Sequence, residues 1–156
     1  MCMYFDRQVG RQCGLHAVRN LLETSDVTEE HMNGAASWCV EESKDVLNNH
    51  QSAAGDWSMD TMKKVLNDRG FDVQRAVKVT SQSVRWDVPP LQECLEDTQV
   101  IGFVVQANNH YTSIRKEGDK WLFCDSLRAA PVPVSARSIC TEALYERCNL
   151  FMVKHK

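Results

Sequence analysis

The feature that most narrows the folds open to this chain is a pair of alternating stretches, residues 111–116 and 120–126, separated only by Glu117-Gly118-Asp119. Glycine beside aspartate between two such runs signals a tight hairpin. If Gly118-Asp119 is a two-residue turn, Glu117 pairs with Lys120, and counting back sets Ile114 opposite Phe123, Thr112 opposite Asp125 and His110 opposite Leu127. His110, Thr112 and Asp125 then share a face, and His110 and Asp125 are diagonal neighbours with Cα atoms roughly 7–8 Å apart, close enough for an imidazole-to-carboxylate hydrogen bond. A three-residue loop would send them to opposite faces. The two-residue register also gathers Ile114, Trp121 and Phe123 on the side of His110, so an apolar face supports the pair.

The remaining stretches predict what surrounds this hairpin. Val100-Ile101-Gly102-Phe103-Val104-Val105 is a nearly continuous apolar run, as a strand buried on both faces requires. Phe71-Asp72-Val73-Gln74-Arg75-Ala76-Val77 alternates as a half-buried strand would, and Leu150-Phe151-Met152-Val153 reads as a closing strand. Helical spacing appears from Cys13 through Ala17, Val18, Leu21 and Leu22, again through Met32, Ala35, Ala36, Cys39 and Val40 to about Glu41, and a third time through Met59, Met62, Val65 and Leu66. The third of these has Ser58 as its N-cap and Gly70 at its end. Pro89-Pro90 ahead of Leu91, Cys94 and Leu95 predicts a short helix, and Ile139, Ala143 and Leu144 a last one over 138–147. Residues 42–56 carry little apolar content and read as an exposed arm. Helices first and an antiparallel sheet after them give an α+β fold, with N-terminal helices packed on a mostly antiparallel sheet.

Cys13 falls where the first helix begins. Unpaired backbone N–H groups and the positive end of the helix dipole favour a thiolate there, and the thiolate is the nucleophilic form. A cysteine nucleophile needs a histidine to exchange its proton and a third group to orient that histidine, which His110 and Asp125 supply. Gln8, five residues ahead of the cysteine, can place its amide beside the Cys13 N–H and bind a developing oxyanion.

Composition limits the alternatives. With 156 residues, 43% apolar and 25% charged, the chain suits one globular domain over 1–156. It has no apolar run long enough to cross a membrane and no signal pattern at the N-terminus, so we expect no membrane span. Net charge is −3 and the basic residues are scattered, which argues against nucleic acid. Seven cysteines without a C-x-x-C pair fit neither a disulfide framework nor a zinc knuckle, and point to the cytoplasm or another reducing compartment.

Phe5-Asp6-Arg7-Gln8, Cys13-Gly14-Leu15-His16-Ala17, Asn20-Leu21-Leu22, then Gly55-Asp56-Trp57-Ser58, His110-Tyr111-Thr112-Ser113-Ile114-Arg115 and Trp121-Leu122-Phe123-Cys124-Asp125-Ser126-Leu127 together resemble the Josephin family of papain-like deubiquitinases. The resemblance runs over nearly the whole chain. It implies hydrolysis of the isopeptide or peptide bond after the C-terminal glycine of ubiquitin. Cys13 would be nucleophile, His110 general base and acid, Asp125 the orienting residue and Gln8 the oxyanion donor. It implies no metal and no cofactor. His16, Trp57, Asn109 and Tyr111 are candidate substrate contacts; for His16 a place behind the site, and for Trp57 core packing, stand as the alternatives. Three departures matter: Asp125 stands where some members carry Asn, Tyr111 where tryptophan is common, and the segment ahead of Trp57 is shorter than in longer-armed members. The expected partners are ubiquitin, its chains and ubiquitinated proteins, with the chain itself a monomer acting in its own cell or, if delivered, in a host. Two rival functions remain: a cysteine peptidase or acyltransferase on another modifier, and a ubiquitin-binding module with weak or no catalysis.

Overall fold

The computed structural model describes residues 13–43, 57–79, 84–86, 91–107, 110–128, 130–136, 138–139 and 149–156. Three helices come first: α1 (Cys13–Leu22), α2 (Glu29–Ser43) and α3 (Met59–Asp68). They are followed by β1 (Phe71–Val79), β2 (Val84–Trp86), the short α4 (Leu91–Glu96), β3 (Val100–Ala107), β4 (His110–Glu117), β5 (Lys120–Cys124), β6 (Val132–Val134) and β7 (Asn149–His155). The strands form one sheet of seven in the order β2-β1-β7-β3-β4-β5-β6, antiparallel at every pairing. The architecture is α+β and papain-like, as the sequence leads one to expect.

The hairpin register is the one the turn chemistry demands. Glu117 faces Lys120, Ile114 faces Phe123 and Ser113 faces Cys124. Gly118 holds φ at +64°, a left-handed conformation that side-chain-bearing residues resist. Strand β5 ends at Cys124, short of the expected 126, because Asp125 turns the chain away.

Each sheet face has its own core. Val104, Tyr111, Phe151, Val153 and Val73 meet Leu15, Val18 and Leu21 of α1, Met32 of α2, and Met62 and Leu66 of α3. On the opposite face Phe103, Val105, Ile114, Trp121, Leu150 and Met152 meet Cys94 and Leu95 of α4, together with Ile139. Burying each large side chain stabilises the fold by about 1.5–3 kcal/mol. The N-terminal helices pack on the sheet as expected, and α4 covers the face that α1, α2 and α3 leave open.

Caps follow the sequence closely. Ser58 Oγ accepts from the Thr61 N–H at 3.2 Å to open α3, and the Thr28 carbonyl receives the Met32 N–H at the start of α2. Helix α2 runs on to Ser43, beyond the expected Glu41. The rest of the expected arm, residues 44–56, lies outside the described residues. So does most of the expected helix over 138–147, of which only the opening turn is described: Ser135 Oγ accepts from the Ser138 N–H at 3.0 Å, and its carbonyl from the Ile139 N–H.

Helix α1 lies close on the sheet for a local reason. A Cβ on Gly102 would stand 2.2 Å from the Ile114 carbonyl and 2.6 Å from Leu21 Cδ1, so only glycine lets the helix seat at this depth. At its far end α1 closes with Glu23 at φ +55°, where glycine is usual, and the Thr24 N–H returns to the Arg19 carbonyl at 3.1 Å.

Candidate active site

Cys13 is the first residue of α1 and His110 the first of β4, and the two elements pack against each other with these starts at the same end. Strand alternation assigns His110 to the face opposite α1, with Thr112 and Ile114. Standing at the strand's end, its ring still comes close enough to Cys13 for the thiol to act on its titration. Cys13 is 5% exposed, whereas the imidazole is 23% exposed and opens the site to solvent.

Behind the histidine stands Asp125, its Oδ1 2.9 Å from His110 Nε2. Since Nε2 faces the carboxylate, Nδ1 is the ring nitrogen left for sulfur. Asp125 is itself fixed. Its Oδ1 accepts the Leu127 N–H at 3.0 Å, its carbonyl accepts the Arg128 N–H at 2.9 Å, and Arg128 Nε lies 3.7 Å from Oδ2. A local turn of the Asx type thus holds the rotamer that the histidine needs.

The environment charges the imidazole. The hydrogen bond with Cys13 and, after it, the bond and negative charge of Asp125 push the His110 pKa up to about 9, against the opposing effect of burial. An imidazolium at neutral pH has a proton to give to a leaving amine. Cys39 and Cys94 are buried thiols pushed up by desolvation, and Cys124, fully buried on the α1 face, is pushed up to about 11 by the same cause. Cys124 is core, as its place in the hairpin register requires.

The secondary candidates divide. Gln8 and Asn109 lie outside the described residues. Trp57 is 2% exposed within the α1–α3 core and donates its indole N–H to Asn33 Oδ1 at 3.2 Å, which makes it packing and removes it as a wall of the groove. Tyr111 is 8% exposed under α1, its hydroxyl accepting from Gln106 Nε2 at 3.2 Å, so it too packs inward and does not line a surface. His16 is 3% exposed, a place behind the site and not one that meets substrate directly. Sequence reasoning missed Arg128, although Asp-Ser-Leu-Arg after a strand carries the turn signal that brings it to Asp125.

A thiol opening the first helix, set against an imidazole opening a strand of the sheet beneath it, is the plan of the papain-like fold. Within that class a family model, Josephin, matches residues 8–153, and the chain belongs to the Josephin family, whose members are of the cysteine-type deubiquitinase class. No curated protein matches the chain. Among the described residues no helix is long and apolar enough to cross a membrane.

Proposed function

We propose that this chain is a deubiquitinase that hydrolyses the isopeptide or peptide bond at the C-terminal glycine of ubiquitin. The observation that carries the reading is the 2.9 Å hydrogen bond from His110 to Asp125 on an imidazole that the Cys13 thiol, at the start of α1, also approaches. In the first step the Cys13 sulfur attacks the glycine carbonyl as a thiolate, its proton already held on His110 Nδ1. The oxyanion is held by the Cys13 backbone N–H at the helix start and by the Gln8 amide. The C–N bond then breaks, the imidazolium giving its proton to the departing lysine amine. Water attacks the thioester with His110 as base, releasing the ubiquitin carboxylate and restoring the thiolate beside the imidazolium. Asp125 keeps the ring oriented throughout and offsets its positive charge.

Neither a metal nor a cofactor has a place in this sequence of steps. The partners are ubiquitin, its chains and proteins bearing them, met by a monomeric catalytic domain in a reducing compartment. A panel of di-ubiquitins tests the reading. Release of mono-ubiquitin by the wild type, and none by Cys13→Ala, supports it. Intact chains after prolonged incubation with folded wild-type protein overturn it.

A further inference from the structure

Arg115 is 1% exposed, the largest fully buried side chain among the described residues. Its guanidinium donates from Nη1 to the Asn20 carbonyl in the last turn of α1 at 3.0 Å, and from Nη2 to Glu117 Oε2 at 3.3 Å. Its Nε has no hydrogen bond and lies 3.6 Å from Glu23 Oε1. Glu23 is the residue held at positive φ where glycine would be easier, so the chain accepts backbone strain to bring this carboxylate to the arginine. A buried, incompletely bonded guanidinium is a poor device for stability, because an apolar side chain of similar size commonly packs as well.

Its position suggests another purpose. From Cys13 to Asn20 is about 10.5 Å of helix, and from His110 to Arg115 is about 16.5 Å of strand; an arginine reaching back along the strand spans the difference of about 6 Å. We infer that Arg115 is a positioning residue, which fastens the C-terminal end of α1 to β4 and thereby sets the separation of the Cys13 and His110 side chains at the other end. Without it α1 slides or tilts on the sheet, and the thiol leaves the imidazole. The inference rests on the thiol-hydrolase reading of the site but not on ubiquitin as the substrate.

The test follows two properties that need no ubiquitin: the titration of the His110 ring by NMR, and the pH dependence of Cys13 alkylation by iodoacetamide. Circular dichroism confirms that each variant is folded. Among the described residues, the charged or titratable groups facing His110 are Cys13 from α1 and Asp125 after β5, with Arg128 beyond the carboxylate. In Arg115→Met the His110 midpoint falls from about 9 toward 6.5 as the thiol contact is lost. On a ubiquitin C-terminal amide substrate, kcat drops about 10²-fold with KM within twofold. Arg115→Lys restores most of both. A direct effect of the arginine charge has the opposite sign, because removing a cation raises a neighbouring imidazole's midpoint. A folded Arg115→Met protein whose His110 midpoint is unchanged or higher overturns the inference. Should Arg115→Met not fold, Glu23→Gln decides, since it alters a half-exposed partner and keeps the clamp partly engaged: a partial downward shift of the His110 midpoint is expected, and none contradicts the inference. If the midpoint shifts as stated but wild-type protein cleaves no ubiquitin substrate, the positioning role stands and the deubiquitinase reading falls.

Discussion

His110 and Asp125 are joined Nε2 to Oδ1 at 2.9 Å across the open end of the β4–β5 hairpin. The bond depends on register. With Glu117 opposite Lys120, the two residues fall on one side of the ribbon, and the turn after β5 fixes the carboxylate by its own bond to the Leu127 N–H. It leaves the second ring nitrogen directed at the start of α1.

Removing either reacting group should stop turnover without unfolding the protein. Cys13→Ala is nearly isosteric within a packed helix start and should abolish hydrolysis of a fluorogenic ubiquitin amide. His110→Ala should lower kcat/KM by about 10²–10⁴-fold, the usual worth of a general acid–base group. Near-wild-type rates in either folded variant would remove that residue from the mechanism.

Asp125→Asn should be milder, with kcat/KM down by about tenfold, near 1.4 kcal/mol. An imidazolium donates from both nitrogens, and an asparagine oxygen still accepts from Nε2 and from the Leu127 N–H. The lost negative charge should lower the His110 midpoint below about 9, which an NMR titration reads directly. A loss as complete as that of Cys13→Ala would contradict a purely orienting role.

The raised pKa of His110 makes stability depend on pH. The imidazolium gains partners on folding, so its contribution is fully present below about 6.5, the ordinary value, and is lost as pH rises through about 9. Thermal midpoints of the wild type should fall between these limits, and His110→Gln should flatten the fall. Equal slopes in the two proteins would place the pH dependence elsewhere.

Gly102→Ala should destabilise the fold by roughly 1–3 kcal/mol or more, because the added carbon meets a backbone carbonyl and Leu21 at once. Urea unfolding measures it. Since the clash lifts α1 off the sheet, residual activity should fall further than the loss of folded protein accounts for.

The parts of this fold that were legible in the sequence are those set by local chemistry. Gly118-Asp119 dictates the turn, the turn dictates the register, and the register brings His110 to Asp125. Ser58 likewise announces α3 by capping it. The non-local parts could not be read. Leu150-Phe151-Met152-Val153 declares a buried strand but not its place between β1 and β3, because an apolar run is equally at home between any two neighbours. The meeting of Cys13 with His110 is a link that the residues themselves cannot give, and only the family resemblance implies it. The structure brings them together by a route that alternation hides, around the end of the sheet and not across one of its faces. Trp57 and Tyr111 look like groove residues in sequence because aromatics suit both surfaces and cores, and here the core takes both.

The most direct measurement is reaction of the purified protein with ubiquitin carrying a C-terminal electrophile, followed by intact mass and peptide mapping. A single adduct on Cys13 in the wild type, and none in Cys13→Ala, is the predicted result. Folded protein that forms no adduct with this probe while Cys13 still alkylates with iodoacetamide, or that is labelled at a different cysteine, would contradict it.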